Sequence, residues 1–317
     1  MENLMSDISW LVIDWGTTNF RAFAMNDNGE PVDEIKRELG LLQIQEGQFD
    51  AQLKELLTEW LDDYQDLPIY MGGMVGSMCG WIDAGYIATP ASLPYLTKNC
   101  HQFTSSWGAP VSIIPGVSHQ YENDKHDVMR GEEVQLMGLM AHTELANCLV
   151  ILPGTHSKHV KIIDGKLLSF STYMTGELYS ILSKFSILGR GITTTTTKII
   201  SDEFYRGVRE GQTEYFTSTL FLARTHRLFN TISENDVLDY LSGLLIGNEL
   251  YALLPLIRHE LINPPLPIFI VGGGNIAQRY TLACNELGID NHFVDGDECF
   301  ISGMNQIKKE MNNVKTI

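Results

Sequence analysis

At 317 residues the chain is long enough for about two domains and too long for a disulfide-stapled miniprotein. Lys plus Arg number 22 against 39 Asp plus Glu, and the formal net charge of -17 argues against nonspecific binding to nucleic acid or anionic membranes. With 44% apolar and 19% charged residues, the composition is that of a compact globular protein rather than a disordered one.

The opening WLVIDWGTTNFRAFAM reads as an apolar strand from Trp10 to Asp14, a small-residue turn and a second strand from Phe20 to Met25, ahead of an Asn28-Gly29 hairpin signal. From Phe49 onward, Leu53, Leu56, Leu57, Trp60, Leu61 and Tyr64 recur at helical spacing. LPIYM over 67–71 predicts the next strand. MGGMVGSMCGW over 71–81 then sets Gly72, Gly73, Gly76 and Gly80 where backbone can approach a ligand closely. Residues 82–128 alternate short apolar runs with Pro90, Pro94, Pro110 and Pro115, a pattern of edge strands and loops. RGEEVQLMGLMAH over 130–142 returns to helical spacing, with Glu132 and Glu133 in the first turn, where acids suit the helix dipole. A domain boundary is expected just beyond it, near 143–147.

CLVILPGTHSKHVKII over 148–163 repeats the opening pattern of apolar strand, Gly-Thr turn and second strand. Asp14-Trp15-Gly16-Thr17-Thr18 and Leu152-Pro153-Gly154-Thr155-His156 align as x-x-Gly-Thr-x, an internal quasi-repeat. STYMTGELYSILSKFSIL carries Met174, Leu178, Ile181 and Leu182 on one side of a predicted helix, and Val237, Leu241, Leu244 and Leu245 do likewise later. GITTTTTK over 191–198 reads as a loop and helix start. PLPIFIVGGGNIAQRY over 265–280 supplies a buried strand, three glycines and a helix, and CFISGMNQIKKEMNN predicts a short closing helix.

Cys79, Cys100, Cys148, Cys284 and Cys299 form no CxxC pair and, being odd in number, cannot pair completely; they read as reduced thiols. MENLMSDISW lacks the basic start and apolar run of a secretory signal, and nowhere do ~18 apolar residues run together. A soluble, cytoplasmic protein is expected.

Three strand-to-glycine turns, at 14–18, 152–156 and 271–275, can present backbone N–H groups to phosphate oxygens. No GxxxxGK[ST] occurs, which removes the P-loop solution. Gly272, Gly274 and Ala277 satisfy G-x-G-x-x-A, with Asp290 or Asp295 following. Too little chain remains after them for a full dinucleotide domain, however, and that reading leaves both Gly-Thr turns unexplained.

DWGTTNFRA, MGGMVGS, VMRGEEVQL, LPGTHSKHV, YMTGEL and LSGLLIGNEL, spread from residue 14 to about residue 250, resemble the 2-dehydro-3-deoxygalactonokinase family of the sugar-kinase, heat-shock-chaperone and actin superfamily. The resemblance implies an α/β fold of two ribonuclease-H-like domains, 1–143 with the sugar-acid site and 144–317 with the nucleotide site, around an interdomain nucleotide cleft. It also implies transfer of the γ-phosphoryl group of ATP, with Mg2+, to the 6-hydroxyl of 2-dehydro-3-deoxy-D-galactonate in galactonate breakdown. A kinase of a related sugar acid such as 2-dehydro-3-deoxygluconate, and a noncatalytic ATP-dependent switch, stay open as alternatives, as does a homodimer. Neither nucleic acid nor a membrane is expected as a partner.

Phosphoryl transfer is mostly positioning plus stabilisation of spreading negative charge. In similar kinases the aspartate matching Asp14 holds Mg2+ through water, and Gly16, Thr17 and Thr18 would cradle phosphate. The second turn departs from the glycerol-kinase pattern, because Leu152-Pro153 stands where that branch has a catalytic acid. Hexokinase-like members place the base at the start of the helix crossing between domains, and RGEEVQ occupies the comparable stretch, so Glu132 or Glu133 becomes the candidate base, with Asp14 as the fallback. Gly154, Thr155, His156 and Lys158 are expected to meet the β and γ phosphates, Lys158 as a point charge. His156 and His159 lack the spacing and third ligand of a zinc site. Gly272, Gly273, Gly274 and Asn275 match the adenosine turn in placement. For the sugar acid, Gly73, Met74, Val75, Gly76, Ser77, Arg21, Arg130 and Glu177 are candidate donors and acceptors, the arginines for its carboxylate. Either arginine could instead pair with Glu132 or Asp14.

Overall fold

The computed structural model describes residues 8–192, 200–259 and 265–315. Apart from its first two residues, the run expected as a loop and helix start at 191–198 lies outside them.

Strand β1 (Trp10–Trp15) and β2 (Phe20–Met25) form the expected antiparallel hairpin, in register from Trp10 opposite Met25 to Trp15 opposite Phe20. All of β1 except Asp14 is buried, which is why it reads as a continuous apolar run. β3 (Pro31–Arg37) adds an exposed edge, and α1 (Phe49–Trp60) lays Phe49, Leu53, Leu56 and Leu57 on the sheet. There follow β4 (Ile69–Gly72), β5 (Tyr86–Ala88), α2 (Leu93–Lys98), β6 (His101–Thr104), β7 (Pro110–Ile113), β8 (Gly116–Gln120), β9 (His126–Met129) and α3 (Glu132–Thr143). The first sheet runs β3-β2-β1-β4-β7-β6, with β4 parallel to both β1 and β7; β5, β8 and β9 form a small separate sheet.

The chain continues through β10 (Cys148–Leu152), β11 (Ser157–Ile163), β12 (Lys166–Tyr173), α4 (Thr175–Phe185), α5 (Asp202–Glu210), α6 (Phe216–Leu220), α7 (Leu222–Leu228), α8 (Val237–His259), β13 (Ile268–Gly272), α9 (Gly274–Glu286), β14 (His292–Asp295) and α10 (Gly296–Lys315). The second sheet runs β12-β11-β10-β13-β14. Its β10–β11 hairpin is antiparallel and its β10, β13 and β14 are parallel, matching the first sheet strand for strand from β3 to β7. The ribonuclease-H-like order thus occurs twice, and the sequence quasi-repeat marks the first hairpin of each copy.

Residues Met1–Ala146, Ile163–Ser169 and Gly296–Ile317 cluster as one compact unit, and Asn147–Ile162 with Phe170–Asp295 as another. The closing helix, expected to be short and in the second domain, is a 20-residue element grouped with the first unit. The reason is close packing of α10 on α3. A Cβ on Gly138 would stand 1.8 Å from the Cys299 carbonyl oxygen, and one on Gly303 2.0 Å from that of Val134, a backbone approach that only glycine permits.

In the second unit, Leu149, Ile151, Ile268 and Ile270 of the sheet pack against Phe204 and Val208 of α5, Leu250 of α8 and Tyr280 of α9. A second cluster gathers Tyr240, Leu241 and Leu244 of α8 with Leu188 and Ala223. The run expected as one helix from Ser171 begins instead as the end of β12. Of the predicted stripe, Met174 just before α4 and Leu178 and Ile181 on it are exposed, while Leu182 packs with Tyr179 against the second cluster, so the helix is turned from the orientation that stripe suggested. Among the described residues one stretch, Val237–Leu254 of α8, is long and apolar enough to cross a membrane by length and composition; 72% of it is buried, as in a core helix.

Candidate active site

Asp14 stands one residue before the end of β1, level with Gly72 of β4. Arg21 donates to its Oδ2 through Nε at 3.2 Å and Nη2 at 2.6 Å. Oδ1 lies toward Gly73, where a Cβ would come within 2.9 Å of it. Gly73 also has φ +90°, so both the space and the backbone conformation call for glycine. Burial raises the Asp14 carboxyl above its ordinary range, against the pull of Arg21. Arg21 continues through Nη1 to Asp297 at the start of α10, and the Lys36 ammonium approaches Asp297 at 3.7 Å. Acids and bases therefore alternate along the mouth of the first turn.

That turn is closed by the Gly16 N–H donating to the Asn19 carbonyl at 2.9 Å, and braced by the Leu41 N–H donating to the Gly16 carbonyl at 3.0 Å. Asp14, Gly16, Thr17, Thr18, Lys36 and Arg37 line a depression of about 410 Å³. Among the described residues no three His, Cys, Asp or Glu side chains gather into a metal cage. A carboxylate beside a Gly-Thr turn nevertheless fits Mg2+, which keeps several waters and takes one or two carboxylates plus substrate phosphates.

Gly131, the residue before α3, has φ +103°, and a Cβ on it would lie 3.4 Å from the Gly73 Cα. The first turn of α3 therefore adjoins the glycine loop against which Asp14 rests. Glu133 is fully buried, and the Gly131 N–H donates to both its carboxylate oxygens at 2.8 Å. Burial, helped by the neighbouring charge of Glu132, pushes the Glu133 carboxyl up to about 8, into the range useful for acid–base work near neutrality. Glu132, only partly buried, accepts the Arg130 N–H at 3.0 Å.

Met74, Val75 and Gly76 form a single tight helical turn, closed by the N–H and hydroxyl of Ser77 donating to the Met74 carbonyl at 3.0 and 2.7 Å. Arg130 stacks 4.3 Å over the Tyr86 ring and donates from Nη2 to the Gly85 carbonyl at 2.9 Å. Its Nη1 lies 3.0 Å from where a Gly76 Cβ would be, and Nε and Nη1 are both buried with no hydrogen-bond partner among the described residues. The two candidate arginines thus differ: Arg21 is spent on two carboxylates, whereas Arg130 keeps buried donors facing the glycine loop.

In the second unit, Gly154 and Thr155 of the β10–β11 turn press on the start of α4. A Cβ on Gly176 would meet the Gly154 carbonyl oxygen at 2.3 Å, and the Glu177 N–H donates to the Thr155 carbonyl at 2.9 Å. His156 Nε2 lies 2.6 Å from Glu177 Oε2. Glu177, expected at the sugar acid, is therefore brought to the β10–β11 turn. Lys158, expected as a point charge on phosphate, is buried with Nζ 3.5 Å from the His156 carbonyl oxygen, against the backbone of the turn. His159 is also buried, its Nε2 2.8 Å from Glu249.

Gly272 lies beside the same turn, a Cβ there falling 3.6 Å from Pro153 Cδ, while Gly273 just before α9 and Gly274 at its start face open space. Asn275 joins Thr175, Tyr179, Ser242, Arg279 and Tyr280 around a pocket of about 250 Å³ whose apolar walls include Leu245 and Ile246. Apolar walls with a few polar groups suit a flat ring with polar edges.

A family model described as 2-keto-3-deoxy-galactonokinase matches residues 14–307. The chain belongs to the 2-keto-3-deoxy-galactonokinase family. It is 34% identical over 307 residues to 2-dehydro-3-deoxygalactonokinase of Escherichia coli, covering 96% of this chain and 99% of that one. A crystal structure of a Sinorhizobium meliloti protein described as a candidate 2-dehydro-3-deoxygalactonokinase superposes with a TM-score of 0.86 at 30% identity, over 96% of this chain and 99% of that one. Membership of the galactonokinase family makes the chain a phosphotransferase with ATP as co-substrate.

Sequence patterns do not single out Asp297, Arg279 or Glu249 as site residues. Asp297 is 276 positions from Arg21, and no local pattern links them. Glu249 carried a faint signal, an acid within the apolar run LSGLLIGNEL.

Proposed function

We propose that the protein transfers the γ-phosphoryl group of ATP to the 6-hydroxyl of 2-dehydro-3-deoxy-D-galactonate, its first unit taking the sugar acid and its second the nucleotide. The observation that carries this division of labour is the pair of Gly-Thr turns at equivalent places in two copies of one sheet. One turn lies beside Asp14; the other adjoins a pocket of about 250 Å³. Backbone N–H groups at Thr17 and Thr18, in the turn that the Gly16 N–H closes, and at Gly154, Thr155 and His156, hold phosphate oxygens. The turn of Gly272, Gly273, Gly274 and Asn275 takes the adenosine.

Arg130 pairs with the substrate carboxylate through the donors that nothing else in its surroundings uses. Arg21, already neutralised by Asp14 and Asp297, balances charge beside the first turn instead. Asp14 would hold Mg2+ through water. Bound Mg2+ neutralises charge on the β and γ oxygens. Glu133 takes the proton of the 6-hydroxyl, for which its raised pKa suits it. The test is ADP release by the purified protein with Mg-ATP and either 2-dehydro-3-deoxy-D-galactonate or its gluconate epimer. Fast turnover of the galactonate compound alone is expected. Equal rates would replace the assignment with a broader sugar-acid kinase, and no ADP from either would overturn it.

A further inference from the structure

The motif LSGLLIGNEL contains one acid whose role the chemistry above leaves unassigned. Glu249 lies on α8 with 3% of its surface exposed. Its two oxygens accept from four side chains on three other elements. Ser157 Oγ at 2.6 Å and His159 Nε2 at 2.8 Å, both of β11, reach Oε1; Thr175 Oγ1 at the start of α4 and Tyr280 Oη of α9, the latter at 2.5 Å, reach Oε2. These donors outweigh burial and hold the carboxyl below its ordinary range, while the Tyr280 hydroxyl is driven well above its own and stays a donor.

A buried carboxylate is a poor device for stability, because desolvation offsets most of what its bonds return and an apolar residue would pack as well. Its value lies in direction. Ser157 directly follows the second phosphate turn, and Thr175 and Tyr280 are walls of the pocket beside it. We propose that Glu249 is a positioning residue for ATP: one ionised group that fixes the phosphate turn, the start of α4 and the inner face of α9 relative to one another, without touching the nucleotide. The proposal rests on the reading of that turn and pocket as the nucleotide site.

The test compares Glu249→Gln, Tyr280→Phe and Ser157→Ala with two pocket variants, Asn275→Ala and Ser242→Leu. It measures ATP binding by calorimetry without sugar acid, both KM values, and thermal unfolding. Roughly tenfold weaker ATP binding and a matching rise in KM for ATP are expected from Glu249→Gln, with KM for the sugar acid within about twofold of wild type. A lowered unfolding temperature and active fraction with both KM values intact would mean a purely structural role and overturn the proposal. Should Glu249→Gln not fold, Tyr280→Phe and Ser157→Ala decide, since each removes one neutral hydroxyl; wild-type ATP affinity in both overturns it. If the pocket variants weaken ATP binding and the Glu249 group does not, only the positioning role fails. If the pocket variants leave ATP binding unchanged, the nucleotide reading fails and the proposal with it.

Discussion

Replacing Glu133 with Gln separates the proton-transfer role proposed for it from its burial. The residue is fully buried, and its carboxyl titrates at about 8 against an ordinary 4.5. Because the folded-state value is the higher one, the folded protein keeps a proton that the unfolded chain has lost between those two values. Stability present below pH 4.5 therefore declines as pH rises through about 8, by about 1.4 kcal/mol per pH unit and on the order of 5 kcal/mol across the window. Gln cannot ionise but keeps an oxygen for the Gly131 N–H, so the variant lacks this slope. Urea unfolding between about pH 5 and pH 9 should show the variant gaining on wild type as pH rises, then levelling. In turnover the two diverge the other way. A base must be deprotonated to act, so wild-type kcat/KM rises with pH toward about 8, whereas the variant loses roughly 10²- to 10⁴-fold in kcat and that pH dependence with it. Wild-type turnover by the variant would refute the base assignment. A stability difference independent of pH would refute the burial argument beneath it.

Arg130→Met should raise KM for the sugar acid by roughly 10- to 100-fold, the worth of a charge-assisted hydrogen bond, and leave KM for ATP unchanged; equal rises in both would contradict its assignment to the carboxylate. Asp14→Asn should cost roughly 10²-fold or more in kcat and shift the Mg2+ concentration needed for half-maximal rate upward, and an unchanged Mg2+ dependence would remove the metal role. Gly138→Ala forces a Cβ onto the Cys299 carbonyl of α10, so overpacking of ~1 to 3 kcal/mol or more should exceed the ~1 kcal/mol gain in helix propensity and lower the unfolding temperature in calorimetry. A thiol reagent at mildly alkaline pH should label Cys79 first, because it is exposed. Burial pushes Cys100, Cys148 and Cys284 up to about 12, and Cys299 is buried, so a second equivalent taken up before denaturation would contradict the structure.

What was legible in the sequence is what neighbouring residues settle among themselves. Alternation and apolar runs marked β1 with β2 and β10 with β11; helical spacing marked α1, α3 and α8; and two x-x-Gly-Thr-x turns disclosed the duplication before any coordinate did. Strand and helix periods are local properties of the backbone, so sequence spacing reports them directly. Met174, Leu178 and Ile181 show the limit, exposed although they share the predicted stripe with Leu182, since Tyr179 competes for the same core and only the shape of the α8 cluster decides which face is covered. The tertiary structure alone assigned α10 to the first unit, carried Asp297 to Arg21, left Arg130 with free donors, and gathered Ser157, Thr175 and Tyr280 around Glu249. Those pairings span tens to hundreds of residues. They follow from how whole elements pack, which no window of neighbouring residues contains.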